Sequence, residues 1–280
     1  MSDPVAKHKD KASKLLTYIS FGAGVQSTAL LVMSNLGLRD CPEADVAIFA
    51  DTGDEPGWVY ENVERLRAWS KIPVETVTWG HLSADILDRH KGQRSRFAAI
   101  PAFTMGKDGR AAPLRRQCTR EYKIQPIERR VRERIGLMRG QRAKGVIDVT
   151  ALIGISLDEA TRMKPSRTAW VTNRYPLVDA GMRRADCARL IQEHGLPVPK
   201  KSSCVFCPYH SDEYWRSLPA AEFEKAATFD EAIRDMSKSG VKGQVFLHRR
   251  LIPLRVIDFT AQGRLFGELE DEECEGGCFL

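Results

Sequence analysis

LLTYISFGAGVQSTALLVMSNLG, residues 15–37, places a strand, a turn and a helix in immediate succession. LLTYIS at 15–20 is a short apolar run that predicts a buried strand, and VQSTALLVMSNLG carries its apolar residues at helical spacing. Between them stand glycines and small hydroxyl residues. There, successive backbone N–H groups and the N-terminus of a helix can hold a phosphate or a sulfate. The turn lacks the Gly-Lys-Ser/Thr of a Walker loop, and it is not the G-x-G-x-x-G of a dinucleotide loop. A tight strand-to-helix connection is the simpler alternative.

The pattern repeats outward from this stretch. VAIFAD at 46–51 is a second apolar run, followed by the turn-rich TGDEPG and a helical pattern reaching about Trp69. VETVTW at 74–79 and DVTALIGIS at 148–156 are further strand candidates. Strands alternating with helices predict an α/β fold with a doubly wound, mostly parallel, Rossmann-like sheet covered on both faces. MRRADCARLIQEHG, at 182–195, reads as a helix closed by Gly195. Residues 81–117, rich in Arg, Gly and Pro, read as a long loop or lid. The expected division is a flexible start over 1–14, a nucleotide-binding domain over 15–200, and a cysteine-containing C-terminal extension over 201–280.

The 280 residues suffice for one large core. No stretch reaches the roughly 20 apolar residues of a membrane span, and no secretory signal pattern opens the chain, so a cytoplasmic location is expected and a membrane partner is not. Seven cysteines in that compartment point to metal or thiol chemistry rather than a disulfide framework. The net charge of +6 is modest, but basic residues cluster at 89–96, 115–116, 129–134, 139–144 and 249–250. Such clusters suit solvated helix faces or a polyanionic partner.

ADTGDEP, residues 50–56, ends the second strand. Ligands of open α/β sheets bind beyond the carboxyl ends of strands, so Asp51 and Thr52 should face the crevice that holds the Ser20 loop. An Asp capping the next helix is the plainer alternative.

Together these residues resemble the adenine-nucleotide α-hydrolase-like superfamily. The similarity is greatest to phosphoadenosine-phosphosulfate (PAPS) reductases and to the ATP pyrophosphatases that thiolate nucleic acids. Ser20, Phe21, Gly22 and Gln26 look like the PAPS reductase loop, and Asp51, Thr52 and Gly53 like its Asp-Thr-Gly turn. Against the pyrophosphatase loop, Ser20, Gly22 and Ser27 agree, while Gln26 stands where an Asp is expected. QCTREYKIQPIERRV at 117–131 is similar to the family segment carried here by Cys118, Lys123, Pro126 and Arg129. In LIGISLDEATR, the matching positions are Gly154, Glu159 and Arg162, with Ile155 where PAPS reductases carry Arg. The resemblance implies that Ser20, Phe21, Gly22, Gly24, Gln26, Ser27, Thr28, Asp51, Thr52, Gly53 and Gly154 bind the nucleotide. It further implies that Lys123, Arg162 and Asp51 act on it.

CVFCPYH, residues 204–210, has a Cys-x2-Cys spacing that lets both sulfurs reach one metal. With Cys118, the resemblance to cluster-dependent thiolases implies three ligands, Cys118, Cys204 and Cys207, on a 4Fe-4S iron–sulfur cluster. Zinc is the alternative, and Cys274, Cys278 and His210 are all open as the fourth ligand. The tail DEECEGGCFL resembles the mobile Glu-Cys-Gly arm of PAPS reductases, which makes Cys274 a candidate nucleophile. Cys41 and Cys187 read as packed thiols.

The resulting expectation is an adenine-nucleotide-dependent sulfur-transfer enzyme acting on a tRNA or DNA acceptor. It would use ATP with Mg²⁺ and a sulfur donor such as a cysteine desulfurase. The alternatives are a PAPS or adenylylsulfate reductase served by a thioredoxin-like reductant, and a non-catalytic nucleic-acid-binding module with structural zinc.

Overall fold

The computed structural model describes residues 14–90, 100–138, 140–143 and 147–259. Strand β1 (Lys14–Phe21) is apolar on both sides because it is covered on both sides. Ile19 and Phe21 enter one core, while Leu16 and Tyr18 enter another. This period-two alternation lets a single strand supply two layers. Helix α1 (Val25–Leu36) follows at once and is buried from Val25 to Ser34. Gly37 ends it at φ 64°, with its N–H on the Met33 carbonyl, a left-handed closure that suits glycine.

The chain then forms β2 (Val46–Asp51), α2 (Gly57–Trp69), β3 (Val74–Thr78) and α3 (Leu82–His90). Next come the short strands β4 (Phe103–Met105) and β5 (Ala111–Pro113), a π-helical turn over Thr119–Ile124, α4 (Gln125–Arg134), β6 (Ile147–Ile153) and β7 (Val171–Arg174). Helices α5 (Pro176–Asp179), α6 (Arg184–Glu193), α7 (Asp212–Ser217) and α8 (Ala220–Ala232) complete the described elements. The main sheet has the order β3-β2-β1-β6-β7, and every pairing in it is parallel. Residues of α1, α2 and α6 pack on one face and residues of α4 on the other, so the sheet is doubly wound as expected.

The strand order reverses at β1. From there the chain works outward through β2 and β3, then returns to place β6 on the other side. Ser20 stands opposite Ile48 on one neighbour and Ile153 on the other. The carboxyl ends of these three strands therefore border the crevice where such sheets bind ligands.

A third core lies apart from the sheet. Leu82 and Ile86 of α3, Ile100, Ala102 and Tyr122 pack with Val205, Phe206, Trp215, Phe229 and Leu247. Residues 81–117, expected as loop or lid, thus contain a helix and a two-stranded hairpin, with 91–99 outside the described residues. The helix is held by tertiary packing at Leu82 and Ile86, one helical turn apart, rather than by a long amphipathic pattern. Trp58 packs against both this core and the sheet's. Asp230 anchors the C-terminal part: fully buried, it accepts the Leu247 N–H at 2.7 Å and the Leu254 N–H at 3.2 Å and pairs with Arg234.

Candidate functional site

The loop after β1 is held by its own small side chains. The Gly22 N–H donates to Ser27 Oγ at 3.3 Å, Ser27 Oγ donates to the Gly24 carbonyl at 3.2 Å, and the Thr28 N–H bonds the same carbonyl at 2.9 Å. Ala23 sits at φ 58°, a left-handed conformation that costs a residue with a Cβ. Buried Asn62, reaching from α2, fixes it by donating to the Ala23 carbonyl at 3.1 Å. The end of β6 presses on this loop, and a Cβ on Gly154 would lie 2.9 Å from the Ser27 nitrogen. Ser20, Phe21, Gln26, Ser27 and Thr28 are buried. Gln26 Oε1 is occupied by Arg184 Nη1 at 2.9 Å.

The turn after β2 faces the same crevice. Asp51 Oδ1 accepts from the Gly53 N–H at 2.8 Å and from the Tyr60 hydroxyl at 2.9 Å. Burial, then the neighbouring Asp51 charge, pushes the Tyr60 phenol up, so it is a fixed donor at neutral pH. Gly53, at φ 79°, is closed in by the His81 ring, 2.8 Å from where a Cβ would stand.

The cysteine segment docks directly on this turn. The Val205 N–H donates to the Asp54 carbonyl at 2.8 Å, and Thr52 Oγ1 lies 3.2 Å from Cys204 Sγ. Glu55 Oε1 is 3.8 Å from the same sulfur and 3.3 Å from Lys123 Nζ. Its other carboxylate oxygen, Oε2, is buried with no hydrogen-bond partner among the described residues. The Cys204 thiol is held well above its ordinary range, first by burial and then by the Glu55 charge; Lys123 and the Thr52 hydrogen bond oppose this, and Cys118 is near enough to add to it. His210 gives Nε2 to the Cys204 carbonyl at 2.9 Å and stacks on Tyr214, and burial pushes its imidazole down to about 3.

The thiols of Cys118 and Cys204 are donors suited to a soft metal. Among the described residues, however, no three His, Cys, Asp or Glu side chains are arranged to hold a metal ion. Neither iron–sulfur nor zinc therefore finds a formed site among these residues. Cys207 donates its N–H to the Cys204 carbonyl at 3.0 Å. Arg162 pairs with Glu159 at 2.6 Å and keeps a buried Nε without a partner among the described residues. Cys274 and Cys278 lie outside the described residues.

The fold thus gathers the Ser20 loop, Gly154, Asp51, Thr52, Lys123 and Cys204, while Arg162 is engaged in its own ion pair. Sequence reasoning missed Glu55, Tyr60, Asn62 and Arg184. Glu55 lies within ADTGDEP, but nothing local distinguishes it from a solvated acid. One basic cluster has a structural use: Arg130 and Arg134 pair with Glu75 at 2.8 and 2.6 Å. These guanidiniums hold the Glu75 carboxyl down at about 2. A cavity of about 240 Å³ opens beside Ser20, on the β6 and β7 side of β1.

Among the described residues no helix is long and apolar enough to cross a membrane. No family model and no curated protein sequence matches the chain. Among solved structures, the chain is similar to the phosphoadenylyl-sulfate (PAPS) reductase from Candida auris, determined as a phosphate complex. The similarity spans 69% of this chain and 82% of that chain at 13% identity, with a TM-score of 0.41.

Proposed function

We propose that this chain is a PAPS reductase-like enzyme that binds an adenine nucleotide at the Ser20–Thr28 loop and uses it to transfer sulfur to a nucleic acid or nucleotide. The observation that carries this reading is the contact between Thr52 and Cys204, 3.2 Å apart, which makes the nucleotide turn and the cysteine segment one site. A phosphate loop alone fits many nucleotide enzymes, whereas one whose neighbouring turn abuts a half-buried thiol and an ammonium supports nucleotide-linked sulfur chemistry.

In this reading the backbone N–H groups of the loop hold phosphates and Asp51, positioned by Tyr60, takes the ribose or Mg²⁺. Lys123 offsets negative charge developing on the transferred group. The acceptor oxygen attacks the α-phosphorus, the bond to pyrophosphate breaks, and pyrophosphate leaves. Hydrosulfide, released when an external thiol reductant cleaves the persulfide of a donor such as a cysteine desulfurase, then displaces AMP with the oxygen. The iron–sulfur cluster expected on Cys118, Cys204 and Cys207 takes no part in these steps, since those side chains form no metal site among the described residues. Residues 15–200 would carry the nucleotide and 201–280 the Cys-x2-Cys pair and the tail, in a cytoplasmic setting that keeps thiols reduced.

The test is incubation of anaerobically purified protein with labelled ATP, PAPS or adenylylsulfate, with and without nucleic acid. Pyrophosphate release is expected. Sulfite instead would establish reduction, with Cys274 as nucleophile; Cys274→Ser should then abolish sulfite, and undiminished output would exclude that role. Binding without turnover of any of the three would defeat the enzymatic reading. A visible absorbance that bleaches on reduction tests the cluster.

A further inference from the structure

The cavity beside Ser20 lies on the opposite side of β1 from Asp51, since β2 and β6 flank β1 on its two edges. Its floor is buried and mostly uncharged: Tyr18 and Ser20 from β1, Ile153 from the end of β6, and Ile127 from α4. Its rim carries three exposed cations, Arg120, Lys164 and Arg167. No ion pair among the described residues engages any of them, unlike the arginines of α4. Inside, Glu128 accepts from Thr168 Oγ1 at 3.1 Å through one oxygen, and burial pushes the Tyr18 phenol up, so it stays protonated.

This division of charge sorts ligands. An uncharged floor bearing hydroxyls and one carboxylate suits a planar group with hydrogen-bonding edges, and a rim of cations suits a phosphate. At about 240 Å³ the space is smaller than the sites of roughly 300 Å³ and more that enclose drug-sized molecules. It therefore admits a base or a sugar, not a nucleoside triphosphate. Ser20 belongs both to this floor and to the start of the phosphate loop, so a group seated here borders the phosphates.

We propose that this cavity is the acceptor site, taking one nucleotide unit of a single-stranded nucleic acid, base on the Tyr18 and Ser20 floor and backbone phosphate on Arg120, Lys164 and Arg167. The inference rests on the nucleotide reading above for its chemistry and adds no step to it. The ATP nucleoside lies on the β2 side of the loop and the acceptor on the β6 side. An extruded base read in a pocket is the usual solution when chemistry must be done on a base.

The experiment is calorimetric titration of the full chain with α,β-methylene-ATP and, separately, with roughly 12-nucleotide single-stranded RNA and DNA oligomers. An oligomer abasic at every position and inorganic phosphate serve as controls. At least one intact oligomer should bind at least about tenfold more tightly than its abasic counterpart. The double variant Lys164→Glu/Arg167→Glu, at exposed positions, should lose about tenfold or more in oligomer affinity while its affinity for the ATP analogue stays within about twofold. Equal binding of abasic and intact oligomers would overturn the inference, as would unchanged oligomer affinity in the variant. Parallel loss of the ATP analogue would also overturn it, by making the cavity part of the ATP site. Failure of the unaltered protein to bind the ATP analogue while the variant effect on oligomers persists would instead strike the nucleotide reading and leave the base pocket standing.

Discussion

Gly154 is the residue on which the loop's shape most depends, because it lets β6 end against the backbone of Ser27. An alanine there would place a methyl 2.9 Å from the Ser27 nitrogen, and the contacted atom is backbone with no rotamer to yield. Gly154→Ala should therefore destabilise the fold by about 1–3 kcal/mol, the ordinary cost of overpacking. It should also weaken nucleotide binding by about tenfold or more if that loop is the phosphate site proposed above, because the displaced atoms include its backbone N–H at Ser27. Thermal unfolding and titration with an ATP analogue check the two effects; a variant with wild-type stability and affinity would show that the loop is not shaped by this contact. The residue scale is also where the sequence was most and least legible. Ser20, Gly22, Ser27 and Asp51 could be read because their chemistry is local, a turn that exposes N–H groups at a strand end. Glu55 and Arg184 could not, since a buried acid beside a thiol and an arginine on Gln26 exist only once distant segments meet.

At the scale of elements, β1, β2 and β6 were readable as apolar runs because the sheet is covered on both faces there and leaves little room for polar alternation, while β3 was readable from the alternating β-branched residues of VETVT at a half-exposed edge. Strand β7 was not, being a half-exposed edge whose sequence, VTNR, carries little apolar signal. The hairpin of β4 and β5 and the short helix α3 escaped for a related reason: their stability comes from Trp215, Phe229 and other residues far along the chain. That third core is closed by Asp230, which satisfies two backbone N–H groups from the segment after α8. Asp230→Ala would strand both donors and the Arg234 guanidinium in a buried setting, at a cost of about 3–5 kcal/mol. Denaturant unfolding should show that loss. A shift under about 1 kcal/mol would mean that water replaces the carboxylate.

For the whole molecule, acid should act most strongly through two groups in overlapping ranges, the histidine and the carboxyl held furthest below their ordinary values. His210 is pushed down by burial to about 3 from an ordinary value of 6.5, so the unfolded chain takes up that proton first and stability is lost as pH falls from about 6.5 toward 3. Glu75 is held down by its hydrogen bonds to Arg130 and then Arg134, at about 2 against an ordinary 4.5. Its contribution is present above the ordinary value and disappears as pH falls from about 4.5 toward 2. Urea midpoints measured at neutral and progressively lower pH should fall in both ranges, with His210→Gln flattening the upper decline and Glu75→Gln the lower. A midpoint constant from neutrality down to the carboxylate range would contradict the His210 assignment.

The hydrogen bond from Val205 to Asp54, with Thr52 resting on Cys204, has a thermodynamic corollary. Two segments that stabilise each other's bound geometry are linked, and linkage is reciprocal: whatever factor nucleotide contributes to the order of the cysteine segment, the ordered segment returns to nucleotide affinity. Occupancy at the loop should thus be readable as slower alkylation of Cys204, followed by mass spectrometry, and alkylated protein should bind the nucleotide more weakly. Equal alkylation rates with and without nucleotide would mean that the two segments touch without communicating. If they do communicate, the thiol reports on the nucleotide before any sulfur moves, and the chain covers that sulfur most closely once its energy source is in place.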